Sequence, residues 1–178
     1  TCSITLYWTG SKDGWATGYI WVSTRKCHMQ DYTRAMYEQN MLHEPLGSIT
    51  SPDDVKPYVY TMTRASVEHV VVIPLDAAGH VLGVEEISKG SCMNSICDIP
   101  SLFRHIYGNH AYDTSVSFIL AHNHPSGQSN PSTEDIEMTR KVKKASDTMG
   151  LPMLDHMIFG RYGESYSIAR SYPEIFAA

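Results

Sequence analysis

Apolar positions along the chain fall into short runs whose period switches between two and about 3.6, and each switch marks an expected element. Ile4-Thr5-Leu6-Tyr7-Trp8 and Tyr19-Ile20-Trp21-Val22 flank a Gly/Ser/Lys/Asp turn, which predicts a β-hairpin. Asp31 to Met41 reads as a short helix or as irregular chain. At Ser51-Pro52-Asp53-Asp54 a capping serine, a proline at the first helical position and acids in the first turn predict a helix start running towards Tyr60. Val70-Val71-Val72-Ile73 lies in a β-branched run from His69 to Leu75, closed by Asp76-Ala77-Ala78-Gly79, the pattern of a buried strand and a turn. Val81 to Ile87 is expected to be its hairpin partner, ending at Gly90. Leu102, Phe103 and Ile106 have helical spacing within Ile99 to Tyr107. Ser115 to Ala121 reads as a second core strand, and Thr133 to Met149 as a helix closed by Gly150 and Pro152. Met153 to Phe159 and Ser165 to Ala169 are expected to form a last strand pair. Strands alternate with helices, so the expected class is an α/β sandwich with a mixed sheet.

Composition narrows this only moderately. The 178 residues, 42% hydrophobic and 19% charged, suit one domain with a substantial core. Fourteen Lys and Arg against nineteen Asp and Glu give a net charge of −5, so nucleic acid has no global electrostatic pull on the chain. Any such binding would have to be local, and the single basic cluster, Arg140-Lys141-Val142-Lys143-Lys144, sits in a helical pattern and reads as a solvated face. No apolar run approaches the ~18 residues of a membrane span, and no basic-then-apolar leader opens the chain. Cys2, Cys27, Cys92 and Cys97 are too few and scattered for a disulfide framework. The expectation is a cytoplasmic protein without membrane contact; the chain starts at Thr1, so an upstream segment is compatible with it.

Chemistry concentrates between Ala121 and Asp135, where a core strand ends and a loop leads into a helix. Side chains two apart on an extended backbone point the same way, so His122 and His124 can converge on one ion while Asn123 turns aside. Asp135, in the first turn of the next helix, can supply a third ligand through a loop reversed by Pro125, Gly127 and Pro131. Two imidazoles and a carboxylate suit zinc, and three protein ligands leave a fourth position for water. Each half has a plain structural reading: His-x-His at a strand end is often only a polar boundary, and Ser132-x-x-Asp135 is also a helix capping box. The ordered combination, with an acidic residue on an upstream strand, carries more weight than either half.

These residues match a known pattern. His122-Asn123-His124 with Ser132 and Asp135 resembles the JAMM (MPN+) metalloprotease motif, and His122-Asn123-His124-Pro125-Ser126-Gly127 with Leu154-Asp155-His156 resembles its RadC branch. The resemblance runs from about Ile49 to Ala169. It implies an MPN (JAB/cytidine-deaminase-like) three-layer sandwich over residues 46–178, with residues 1–45 as an N-terminal extension carrying the hairpin. It also implies zinc on His122, His124 and Asp135, Glu85 as the base that activates a metal-bound water, and Ser132 as the group that steadies the oxyanion. Glu85 is preferred to Glu86 because it stands five residues before Gly90, as in the family. Asn123 replaces the Ser or Thr usual in deubiquitinating members. His156 is expected either to support a ligand from behind or to be a satisfied core histidine, with Asp155 beside it.

The implied activity is hydrolysis of a peptide or isopeptide bond in a protein or peptide substrate. The alternatives are a DNA-repair accessory protein of RadC type, or a nuclease that spends the same water on a phosphodiester. The acidic balance and the absence of Gly-rich, phosphate-gripping hairpins in the first 45 or so residues disfavour nucleic acid. A zinc nucleobase deaminase is disfavoured too, because its Pro-Cys-x-x-Cys ligand signature is absent.

Overall fold

The β-branched run from His69 becomes the second strand of a five-stranded sheet, buried along its whole length. The computed structural model describes residues 46–90, 98–109 and 112–177, together with two short N-terminal strands. Those strands, β1 (Leu6–Thr9) and β2 (Gly18–Trp21), pair antiparallel where the hairpin was expected. The segment Asp31 to Met41 and all four cysteines lie outside the described residues.

The main sheet is built from β3 (His69–Leu75), β4 (Glu85–Lys89), β5 (Ser117–Asn123), β6 (Met153–Phe159) and β7 (Ser165–Ser167), in the order β4-β3-β5-β6-β7. Only β5 and β6 run parallel, joined by a helical crossover, so the sheet is mixed as expected. The helices are α1 (Lys56–Val59, preceded by a 3-10 turn at Pro52–Val55), α2 (Ile99–Tyr107), α3 (Thr133–Thr148), α4 (Ile168–Ser171) and α5 (Pro173–Phe176).

Strand alternation sorts the core into two faces. Val70, Val72, Phe118 and Leu120 meet Leu102, Phe103 and Ile106 of α2 and Met138 and Val142 of α3. Val71, Ile73, Ile119, Ala121 and Met157 meet Val55, Val59 and Met62 on the other side. Helical segments on both faces of one sheet make the three-layer α/β sandwich. A smaller cluster around Ile158, Ile168 and Ile175 seals the β6 side.

Two strand expectations change. The partner of β3 touches it at Val81, opposite Leu75, and then leaves it until Glu85, with a register shift between Val70 and Val71. The run expected from Ser165 to Ala169 stops as a strand at Ser167, because the Ser167 hydroxyl accepts from Arg170 N and Asp155 Oδ1 accepts from Ala169 N, which starts α4.

Because β5 and β6 are parallel, their carboxyl ends lie together at one edge of the sheet, where α3 starts. β3 runs the other way, so its beginning lies at that same edge. Open α/β sheets present their crevices at this edge.

Candidate metal centre

His122 faces the α2/α3 side of the sheet and is fully buried. One further bond, His124 N to Phe159 O at 2.8 Å, carries the β5–β6 pairing past Asn123 and brings His124 to the same edge. The chain then reverses: Gly127 N donates to His124 O at 3.0 Å, Gly127 takes φ +93°, and a Cβ there would come within 3.3 Å of Arg161 Cβ. Asp135 returns as the third residue of α3. Ser132 N and Oγ both donate to its Oδ2 at 2.7 Å, while Ser132 Oγ accepts from Asp135 N at 3.1 Å, a complete capping box. His122 Nε2 thus lies 3.3 Å from Asp135 Oδ1, His124 Nε2 lies 3.3 Å from Asp135 Oδ2, and the two Nε2 atoms are 3.0 Å apart.

The surrounding hydrogen bonds decide where the imidazole protons sit. Thr139 Oγ1 donates to the Asp135 carbonyl at 2.6 Å, so it accepts from His156 Nδ1 at 2.6 Å. Complete burial holds the His156 imidazole well below its usual pKa, hence neutral, and its Nε2 accepts from His122 Nδ1 at 2.8 Å. His124 Nδ1 donates to Gln128 O at 2.9 Å. Both Nε2 atoms are therefore left with bare lone pairs turned toward each other. Asp135 Oδ1, buried and without a hydrogen-bond partner, faces the same point. Two lone pairs and an anionic oxygen meeting around one buried point match a cation, and two nitrogens with one carboxylate oxygen match the donor set of zinc.

The charges respond accordingly. Burial works to raise the Asp135 carboxyl, but the imidazoles of His122 and His124 beside it and the Ser132 hydroxyl outweigh that effect and leave it far below the usual carboxylate range. Asp135 in turn raises His124 against the opposing effect of burial, so a proton and a cation compete for this site.

The acid beside this centre is Glu68, which the sequence analysis did not single out. Val70 lies opposite His122, so continuing that antiparallel register by two residues sets Glu68 level with His124 on the same face. Its Oε1 is 3.8 Å from His122 Nε2, and ligand atoms of Glu68, His122 and His124 all lie within 4.8 Å of one another. Burial raises the Glu68 carboxyl above the usual range, partly countered by the two histidines. A signal did exist: in an antiparallel pair the residues just ahead of one strand meet those just past the end of the other.

Glu85, expected to be the base, is elsewhere. It pairs with Val72, which is level with Leu120, and β4 lies beyond β3 from β5. That is about 10 Å across the sheet and about 7 Å along it from His122, on standard strand spacings. Its Oε1 instead accepts from Tyr112 OH at 2.8 Å and Asn109 Nδ2 at 3.3 Å. Glu86 Oε2 pairs with His69 Nδ1 at 2.7 Å on the opposite face. The Ser132 hydroxyl, expected at an oxyanion, gives its hydrogen to Asp135. His156 stands directly behind His122, whereas Asp155 does not join it: the Asp155 carboxylate accepts from Ser167 Oγ, Ala169 N and His156 N, tying β6 to β7 and α4.

Comparison with known proteins gives the arrangement a family. Residues 49–172, more than two thirds of the chain, match the family model of the RadC-like JAB domain. The chain is 38% identical over 114 residues to a UPF0758 protein of Caldanaerobacter subterraneus, covering 64% of this chain and 47% of that one. It is 34% identical over 130 residues to a UPF0758 protein of Pelobacter propionicus, covering 72% and 55%. It thus spans about half the length of the curated relatives it matches. Its five-stranded mixed sheet, its paired histidines and the extent of the match agree: the chain belongs to the RadC-like JAB domain family.

Proposed function

We propose that this protein is a zinc-dependent hydrolase of peptide or isopeptide bonds, with Glu68 as its general base. The observation that carries the reading is the convergence of two bare imidazole nitrogens and the orphaned Asp135 Oδ1 beside a carboxylate with raised proton affinity. Zinc held by His122, His124 and Asp135 would supply Lewis acidity, polarising a substrate carbonyl and acidifying a water.

The chain's own residues do the rest. Glu68 takes the proton of the attacking water and returns it to the leaving amine, a task that suits a carboxyl whose proton affinity burial has raised. His156 and Thr139 fix the tautomer of His122, and Gln128 O fixes that of His124. Ser132 holds Asp135 in orientation rather than serving the oxyanion. A protein or peptide substrate accords with the net charge of −5. The basic cluster adds little to a nucleic-acid reading, because Lys143 is buried and paired with both Asp147 carboxylate oxygens, the longer contact 2.7 Å, and Arg140 Nη2 lies 3.9 Å from Glu174. The test is metal content together with turnover on a panel of peptides, isopeptide-linked peptides and single-stranded DNA, with and without chelator. Zinc near one equivalent and chelator-sensitive amide cleavage are expected. Metal-dependent cleavage of the DNA alone would replace the amide reading with a nuclease.

A further inference from the structure

Asn123 stands between the two histidines in sequence but faces the opposite side of the sheet, almost wholly buried. Regular pairing of β3 with β5 begins at Val70 opposite His122. One step beyond it, the Asn123 side chain replaces the backbone ladder: Oδ1 accepts from His69 N at 2.8 Å and Nδ2 donates to Val67 O at 3.1 Å. A primary amide offers one acceptor and a donor pair, so this side chain serves the two peptide groups as a neighbouring strand would. Those groups are the ones on either side of Glu68. The carbonyl of Glu68 itself accepts from Gly90 N at 2.8 Å, and the His69 ring is held by Glu86. The backbone around Glu68 is therefore gripped from β5 on one side and from the end of β4 on the other, and only the Glu68 side chain is left to turn toward His122 and His124.

We infer that Asn123 is a positioning residue whose side-chain amide clamps the Val67–His69 backbone and so aims the Glu68 carboxylate at the metal centre. The inference rests on the proposed metal function and adds how the base is placed. It makes the tripeptide His122-Asn123-His124 a single unit with two tasks, ligands on one face and the clamp for the base on the other, so sliding this tripeptide against β3 would misplace all three together. An asparagine suits the position because one acceptor and one donor are needed at once. Aspartate keeps the acceptor for His69 N but sets an anionic oxygen against the Val67 carbonyl, and alanine leaves both buried groups unmatched.

The test uses cobalt(II) alone as the probe, on the full chain and on Asn123→Ala, Asn123→Asp, Glu68→Gln and the double variant Glu68→Gln with Asn123→Ala. Hydrogen exchange of the His69 amide reads the clamp directly: it should speed up ~10-fold in Asn123→Ala and less in Asn123→Asp, because only the latter keeps an acceptor. The visible spectrum of bound cobalt reads the position of Glu68. Asn123→Ala should bind cobalt within ~3-fold of the parent yet shift the spectrum toward that of Glu68→Gln, and the double variant should match Glu68→Gln, as expected for residues acting through one another. An unchanged His69 amide or a parental spectrum in Asn123→Ala would overturn the inference, and so would a loss of cobalt affinity as large as that of His122→Ala, which would assign Asn123 to the ligand strand instead. Should Asn123→Ala fail to fold, Asn123→Asp carries both readouts, and parental values in it would overturn the inference in the same way. Failure of the unaltered chain to bind cobalt would reject the proposed function itself, and the clamp's role with it; that outcome is distinct from all the others.

Discussion

At the scale of single residues, the proposed function gives proton transfer to Glu68 and leaves Glu85 a structural task. Replacing Glu68 with glutamine should leave the metal bound and the fold intact while lowering turnover at least ~100-fold, the usual contribution of a positioned general base. Glu85→Ala should do the reverse, costing about 1 kcal/mol of stability through loss of the hydrogen bonds that Glu85 Oε1 accepts from Tyr112 OH and Asn109 Nδ2, with turnover kept. Urea midpoints and rates on the same preparations check both; inactive Glu85→Ala beside active Glu68→Gln would reverse the assignment. His156 gives a pH signature. Its folded pKa is depressed, so below about 6.5 the unfolded chain takes up a proton that the folded chain refuses. Its contribution is whole above that pH and is lost as pH falls below it toward the depressed folded value, whereas His124, with a raised pKa, adds stability that is lost as pH rises through that value. The metal-free parent should therefore lose more stability than His156→Gln between pH about 7.5 and about 5.5. Equal losses would remove His156 as the source.

At the scale of elements, one helix start performs two jobs. The Ser132 and Asp135 pair caps α3, and the same hydrogen bonds orient the carboxylate proposed as a ligand, so the capping-box reading and the ligand reading of Ser132-x-x-Asp135 fall on the same atoms. Ser132→Ala should cost about 1 kcal/mol as a lost cap. It should also weaken zinc ~10-fold, because the ligand carboxylate loses the donor that orients it. Thermal melts with and without metal, joined to a competition titration, separate these effects; a lost cap with unchanged zinc affinity would leave Ser132 a purely helical role. Helix starts and ligand spacing were legible because capping and alternation act within a few residues: α2, α3 and β6 fall where their patterns place them. The short turn of α4 was not, because what ends β7 is Asp155, twelve residues earlier in the chain.

At the scale of the whole molecule, an ion held as proposed by His122, His124 and Asp135 would join the end of β5 to the start of α3, so metal and fold should be linked. At a free zinc concentration ~100 times its Kd, binding to the folded state alone adds about 2.7 kcal/mol, and chelation should lower the melting temperature accordingly. No change in melting on chelation would deny the site an ion. The net charge of −5 makes a second expectation: duplex DNA should bind more weakly than ~10⁻⁶ M at moderate salt, since phosphate binding draws on Lys and Arg that neutralise phosphates. Among the described residues no helix is long and apolar enough to cross a membrane.

By itself the sequence determined the α/β class, the principal helices and strands, and the convergence of His122, His124 and Asp135. Each depends on periodicity, capping or spacing inside a segment of about fifteen residues, where backbone geometry leaves few choices. Only the tertiary structure decided which acid stands beside them. Glu68 and Glu85 both adjoin core strands and both are flanked by a second charged or titratable neighbour, His69 or Glu86, so local pattern does not rank them. The choice follows from a non-local fact: β3 lies antiparallel between β4 and β5, which sets its beginning against the end of the His-x-His strand and leaves Glu85 a strand away with Tyr112. Register between strands some fifty residues apart is fixed by the packing of the two sheet faces, and sliding one strand by one residue would have turned every one of those side chains to the other side.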